Sequence, residues 1–393
     1  ADVAWGRFVD TRPATKHGKF KPWILRMSFP LVFTGVLMFT KIPGMSDGFY
    51  LAWAFVTYIV WGTLYSTVNI PYGSMASVIT ADPVERTTLS TWRTMGATLA
   101  GLIINVLGPI IVFVDNKIDA DRMFMTACIF GVLAMACYIG CYKLSTERIE
   151  APVKEVKKGD FLRSMKSLVT NKPFLWVLSA SLLTMLTSFI AMAVNTYLFK
   201  DYFGNAAALS IIGLVQTAIT LSVVPLVKPL VAKFGKKEIS VAGMGFASVI
   251  YIVLYFLKFT TTTPFIVLVA LAMAGMCFYS IVTWAFISDV IDYHEYLTNL
   301  REDATVYSIV SMSRKVGQAV AGGIGGVAIS MVGYDATLGT QPQEVLDGIY
   351  MLGTLVPGIL YAIIAVLLFM YPLNKQKTIQ LSKDLEAKRN AKA

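Results

Sequence analysis

Three observations predict an all-α polytopic membrane protein: ten long apolar segments, a composition too hydrophobic for a soluble domain, and basic residues gathered in alternate loops. The chain has 393 residues, 56% hydrophobic and 15% charged, with a mean hydropathy of +0.63. A bilayer core of roughly 30 Å is crossed by about 20 apolar residues of helix. In order, the segments that approach or exceed that length are Ile24–Thr40, Phe49–Thr67, Thr94–Val114, Met123–Tyr142, Phe174–Phe199, Ala206–Val227, Ile239–Leu257, Phe265–Ile287, Val306–Val332 and Ile349–Tyr371. Buried helices of a large soluble protein would need amphipathic segments to cover them, and the sequence has none. A helix facing lipid is apolar all round, as these are.

The net charge of +10 reads as orientation rather than nucleic-acid binding. Lys and Arg collect in Arg7–Lys21, Lys143–Lys172, Lys228–Lys237 and the tail after Asn374, while the intervening loops are short or acidic. That alternation places the basic loops and the C-terminus in the cytoplasm of a plasma-membrane protein. Cys128, Cys137, Cys141 and Cys277 all lie within apolar segments, and His17 and His294 fall in different loops. Neither a disulfide framework nor a zinc site is expected. No GxxxxGK[ST] loop is present, so any pumping draws on an ion gradient. No nucleophile–base pair suggests an enzyme.

Four segments precede the polar stretch Leu144–Asn171 and six follow it. A transporter of two similar halves would be six plus six, and Ala1-Asp2 opens in what reads as a helix tail. The expectation is therefore a pair of six-helix bundles, with the first helix and most of the second missing from this chain. Residues 1–143 would form the incomplete N-terminal bundle, 144–172 a cytoplasmic linker with a surface helix over Gly159–Val169, 173–372 the C-terminal bundle, and 373–393 a tail. Asn171-Lys172-Pro173 signals a helix start. A faint repeat supports the halves: Gly6-Arg7-Phe8-Val9-Asp10 leads to Lys16-His17-Gly18-Lys19, and Pro229-Leu230-Val231-Ala232-Lys233 leads to Gly235-Lys236-Lys237. Equivalent turns in two halves fit the parallel repeats of the major facilitator architecture.

A charge within the bilayer costs roughly 2.5–3.5 kcal/mol on insertion scales, so each asks for a partner or a purpose. Arg93 stands at the start of its apolar segment, and Arg314 and Lys315 stand inside theirs. Adjacent helical residues point about 100° apart, and Lys315, near mid-membrane, is taken as the inward one. Tyr65, Ser66, Asn69 and Tyr72 or Gly73 recur at helical spacing, a face of hydroxyls and amide suited to a polyhydroxylated solute. Pro71 suggests a broken helix there. Asp2 is the only carboxylate on a helix before the first basic loop, a hard oxygen ligand for H⁺ or Na⁺. Asp289, Asp292, Glu295, Arg301, Glu302 and Asp303 cluster across Val290–Leu300, where they can pair with the basic loops and close an inner gate. Gly322-Gly323-Ile324-Gly325-Gly326 favours close packing or bending.

Several stretches resemble the glycoside–pentoside–hexuronide:cation symporters, the melibiose-permease-like branch of the major facilitator superfamily. They are Gly18-Lys19-Phe20-Lys21-Pro22-Trp23-Ile24-Leu25, Asn69-Ile70-Pro71-Tyr72, Arg86 through Leu89 to Arg93, Asp289-Val290-Ile291-Asp292-Tyr293, Asn299-Leu300-Arg301 and Lys315-Val316-Gly317. The resemblance implies a cation site that includes Asp2, with Ser66 and Asn69. It also implies a sugar site near Asn69, Arg93 and Lys315, to which Ser66 and Ser311 add hydroxyls, and an inner gate of Asp289, Asp292, Glu295 and Arg301. The melibiose-transporting branch has aspartate at Asn69 and tryptophan at Gly73. The first departure makes H⁺ coupling as expected as Na⁺, and the second predicts a different sugar. The function implied is secondary active symport of a sugar by a monomer in a lipid bilayer, with no cofactor beyond the coupling cation. A non-transporting membrane sensor or scaffold, and an exporter of lipid-like or drug-like solutes, are the alternatives.

Overall fold

A computed structural model describes all residues except 1, 41, 115–116, 150–167, 169, 206–207, 299–300, 336–337, 339 and 391–393. The surface helix expected over Gly159–Val169 and the Asn299-Leu300 pair lie outside the described residues.

The described chain is helical, as its pattern predicts. The helices are α1 (Asp2–Thr11), α2 (Lys21–Leu37), α3 (Asp47–Ile79), α4 (Pro83–Val112), α5 (Ala120–Leu144), α6 (Lys172–Tyr197), α7 (Ala208–Phe234), α8 (Lys236–Leu257), α9 (Thr262–Thr298), α10 (Asp303–Met331), α11 (Gln343–Gly353), α12 (Leu355–Met370) and α13 (Lys375–Asn390). A π-helical turn, Leu198–Tyr202, continues α6, and a two-residue antiparallel ribbon pairs Phe113–Val114 with Lys117–Ile118. Among the described residues, seven spans are long and apolar enough to cross a membrane. The other three predicted segments fold as α2, of 17 residues, and as α4 and α10, which carry Arg93 and the Arg314-Lys315 pair.

Local signals set the helix starts. Ser46 Oγ accepts the Phe49 amide before α3, and Asn171 Oδ1 accepts the Phe174 amide before α6, where Pro173 sits in the first turn. Such caps satisfy amides that have no partner within the helix. The last predicted segment divides at Thr354 into α11 and α12. Pro71 does not break its helix: α3 runs unbroken through it to Ile79. The carbonyl that Pro71 frees, four residues back at Thr67, accepts the Trp5 indole N–H instead.

The chain divides into two compact units. One comprises Ala1–Ala81, Gly96–Arg163 and His294–Ser311; the other comprises Asp82–Met95, Ser164–Tyr293 and Met312–Ala393. In the first, α2 packs on α3 and α5, and Trp53 donates its indole N–H to the Leu37 carbonyl. In the second, α12 packs on α8 and α6; Ser248 bonds the Gly358 carbonyl, and Tyr350 bonds the Leu254 carbonyl. Leu51 is 66% exposed, Phe55 64% and Phe256 75%. Side chains of that size standing outward are the lipid-facing surface of a membrane protein.

The faint sequence repeat has a structural counterpart. Gly18 and Gly235 both adopt φ +107°, a region that favours glycine. Each faces a carboxylate, Glu147 at Gly18 and Glu238 at Gly235. The lysine after each is buried, Lys19 and Lys236.

Candidate functional site

In the first unit the start of α10 is held by the first basic segment. Asp10 Oδ1 accepts the Ala304 amide at 3.0 Å, and Oδ2 accepts the Thr305 amide and hydroxyl at 2.6 Å each. A helix N-terminus has amides without helical partners and a positive dipole end, so a carboxylate there is a cap. Lys19 Nζ lies 4.0 Å from the same carboxylate. Burial pushes the Asp10 carboxyl up from 3.8 to about 6; Lys19 and the α10 donors oppose that rise, while Asp303 adds to it. Arg7 pairs with Glu302 at 2.5 Å, and the other Glu302 oxygen meets His294 Nε2 at 3.3 Å. Arg301 bridges Glu295 at 2.6 Å and Asp303 at 2.9 Å and donates to the Ser77 carbonyl. Ser77 Oγ donates to Asp303 in turn.

The same unit carries a second cap. Glu147, just past α5, accepts three successive amides at the head of α2: Lys19 at 2.7 Å and Phe20 and Lys21 at 2.9 Å each. The Gly18–Trp23 motif therefore turns around a carboxylate that lies 126 to 128 residues away in sequence.

In the second unit, Asp289 and Asp292, three residues apart near the end of α9, do not share a solvated face. Each is buried against its own cation, Asp289 with Lys236 at 2.5 Å and Asp292 with Arg86. Of the four predicted gate residues, Glu295 and Arg301 thus meet in the first unit, while Asp289 and Asp292 are paired in the second.

The polar face of α3 also lies in the first unit. Ser66 is buried and its hydroxyl bonds the Gly62 carbonyl; Tyr65 stacks on Trp61 at 5.8 Å; Asn69 and Tyr72 are half-buried. Asp2 is buried on α1, and α1 is fastened to α3 by the Trp5 indole, which donates to the Thr67 carbonyl at 3.1 Å. The ring of Tyr307, on α10, lies directly on Gly73, where a Cβ would overlap it. An aromatic group therefore covers the position at which the melibiose-transporting branch would have tryptophan. It comes from another helix. Ser311, one turn further along α10, is buried.

Arg93 and Lys315 belong to the second unit. Because α4 starts at Pro83 rather than at Thr94, Arg93 lies roughly 15 Å along the helix. Its guanidinium sits 3.8 Å from the ring centre of Trp284 on α9, and that of Arg314 on α10 sits 5.0 Å from the same centre. The two are hence within about 9 Å of each other, where like charges repel by roughly 2 kcal/mol at an effective dielectric near 20. Nearby Ser90 ties α4 to α9 through the Ile281 carbonyl. Sequence reasoning singled out Arg93 and Lys315 and passed over Trp284 and Arg314. A tryptophan in an apolar run reads as packing, and only the fold shows two cations on one ring.

Long apolar helices with large side chains facing outward, and charged side chains within helices and paired at their ends, define a membrane transporter of the major facilitator fold. The chain belongs to the MFS/sugar transport protein family, whose model matches residues 1–375. It is 30% identical to the glucuronide carrier protein homolog of Escherichia coli (strain K12), over 96% of this chain and 82% of that one. It is 31% identical to the isoprimeverose transporter of Lactiplantibacillus pentosus, over 98% of this chain and 80% of that one. A crystal structure of the E. coli fucose:proton symporter superposes with a TM-score of 0.66 at 14% identity, covering 95% of this chain and 87% of that structure.

Proposed function

We propose that the chain is a cation-coupled sugar symporter that works by alternating access, with its basic loops and C-terminus cytoplasmic. The observation that carries this reading is the set of cations inside long helices, Arg93, Arg314 and Lys315, in a chain of a sugar-transport family. Such charges are retained in membranes for solute or ion handling. The names of the glucuronide and isoprimeverose relatives support a sugar as the solute.

Tyr65, Asn69, Tyr72, Gly73, Arg93, Ser311 and Lys315 are the residues proposed to engage the solute. Asp2, Ser66 and Asn69 are proposed for the coupling ion, H⁺ or Na⁺. The inner gate is assigned to Asp289, Asp292, Glu295 and Arg301, and the two bundles to 1–143 and 173–372, joined by 144–172.

Uptake into proteoliposomes under an imposed Na⁺ or proton gradient tests the proposal. Accumulation of a sugar driven by one gradient is expected, and Arg93→Ala or Lys315→Ala should abolish it. Normal accumulation by either variant would reject the site assignment, and no sugar counterflow under any gradient would reject symport itself.

A further inference from the structure

We propose that the second unit binds a phosphate monoester in a hollow beside Lys236 and Asp289, one that contains none of the residues assigned to the solute. The hollow measures about 380 Å³, solvent at its mouth included, and its walls come from α4, α7, α8, α9 and the start of α13. Lys236, Lys237 and Lys375 line it, together with Asp289.

Lys236 is 7% exposed and Asp289 1%. The Lys236 ammonium meets one Asp289 oxygen at 2.5 Å. Among the described residues it makes no further hydrogen bond, and neither does the second Asp289 oxygen. An ammonium carries three donors and a carboxylate accepts at both oxygens, and buried polar groups are rarely left unbonded. The pair thus has donors to spare on one side and an open acceptor on the other. The backbone adds donors: α8 starts at Lys236 after Gly235, and no side chain caps it. Its first amides and positive dipole end suit an anion. Lys237 and Lys375 are steadied at the wall by the Tyr371 and Lys233 carbonyls, and Lys377 adds charge beside Lys237. Glu238, next to Gly235, offsets part of this surplus.

Asp289 decides the kind of anion. Sulfate, fully ionised, would meet that carboxylate with no proton between them. A phosphate monoester, whose second ionisation lies near about pH 6, can keep a P–OH. That group donates to Asp289 while the remaining oxygens accept from Lys236 and the α8 amides, all charge-assisted bonds.

Glycerol 3-phosphate, with sulfate as control, is titrated at pH 6 into the whole protein in nanodiscs of phosphatidylglycerol, whose phosphate is a diester. Calorimetry and hydrogen exchange at residues 235–238 read the binding. Glycerol 3-phosphate is expected to bind at least tenfold more tightly than sulfate and to slow exchange there several-fold. Nanodiscs containing phosphatidic acid, a lipid monoester, form the second arm. Slowed exchange without glycerol 3-phosphate assigns the site to the lipid, and slowing only on its addition assigns it to the free monoester. Lys236→Met combined with Asp289→Asn removes both charges of the pair and should weaken binding tenfold or more. Lys375→Gln, which replaces no fully buried charge, should weaken it several-fold. Slowed exchange in neither arm, or equal affinity for sulfate, overturns the proposal. Unchanged affinity in the double variant does the same; where that variant does not fold, unchanged affinity in Lys375→Gln does so instead. Sugar uptake stands or falls separately.

Discussion

The carboxylate of Asp10 receives the backbone amide of Thr305 at 2.6 Å, across 295 residues of sequence. One side chain from the first basic segment therefore caps the first turn of α10. Removing it leaves the Ala304 and Thr305 amides without that acceptor. Asp10→Ala is expected to loosen this turn by about 1–2 kcal/mol, the usual worth of a cap. Hydrogen exchange at residues 304–306 checks it. Protection unchanged from the unsubstituted protein would count against a capping role.

The same carboxyl gives the contact a pH dependence. Its value in the closed contact is about 6, against 3.8 when solvated. Between those values the buried form holds a proton that the solvated form has lost, so the contact binds more protons than the parted state. Its stability is then greatest below about pH 4 and falls as pH rises to about 6, by up to roughly 3 kcal/mol, and is level above that. Exchange rates at residues 304–306, corrected for intrinsic pH effects, should rise across that window. In Asp10→Asn they should not. A slope of the opposite sign would refute the assignment.

Gly73 is required by Tyr307 rather than by a turn. A methyl group there meets the ring, and overpacking of this kind costs about 1–3 kcal/mol. Gly73→Ala should lower the thermal midpoint, and Gly73→Ala on a Tyr307→Ala background should cost little, since alanine is the better helix residue. Equal losses on both backgrounds would show that the two residues are uncoupled.

Glu147 holds three amides of the Gly18–Lys21 turn. Hydrogen bonds to a charged group contribute about 1.5–3 kcal/mol, so Glu147→Ala should destabilise the protein by about 2 kcal/mol or more, and Glu147→Gln by less. The readouts are the thermal midpoint and the rate of tryptic cleavage after Lys19. If cleavage is no faster in Glu147→Ala, the turn is held by something else.

The helices were legible in the sequence because membrane burial leaves a continuous apolar run, which survives without knowledge of any partner. Their polar ends were less legible: α4 was placed eleven residues late because Glu85, Arg86 and Ser90 look like loop until Asp292 and the Ile281 carbonyl receive them. Arg93 and Lys315 stood out because a charge in an apolar run is conspicuous on its own. Trp284, Asp10 and Glu147 carry no such mark. Their roles depend on groups more than a hundred residues away, or, for Trp284, on two cations brought from other helices, and no local spacing encodes that. Arg314 was set aside for Lys315 on helical geometry alone, whereas the aromatic ring that receives it lies on another helix.

The 37 residues of α9 rise about 55 Å, whereas the acyl layer is roughly 30 Å deep. Counted from Thr262, Asp289 and Asp292 lie some 40–45 Å along that rod. Asp289 and Asp292, with Lys236 and Arg86, are buried at that end of the rod, so dissolved salt screens their pairing little.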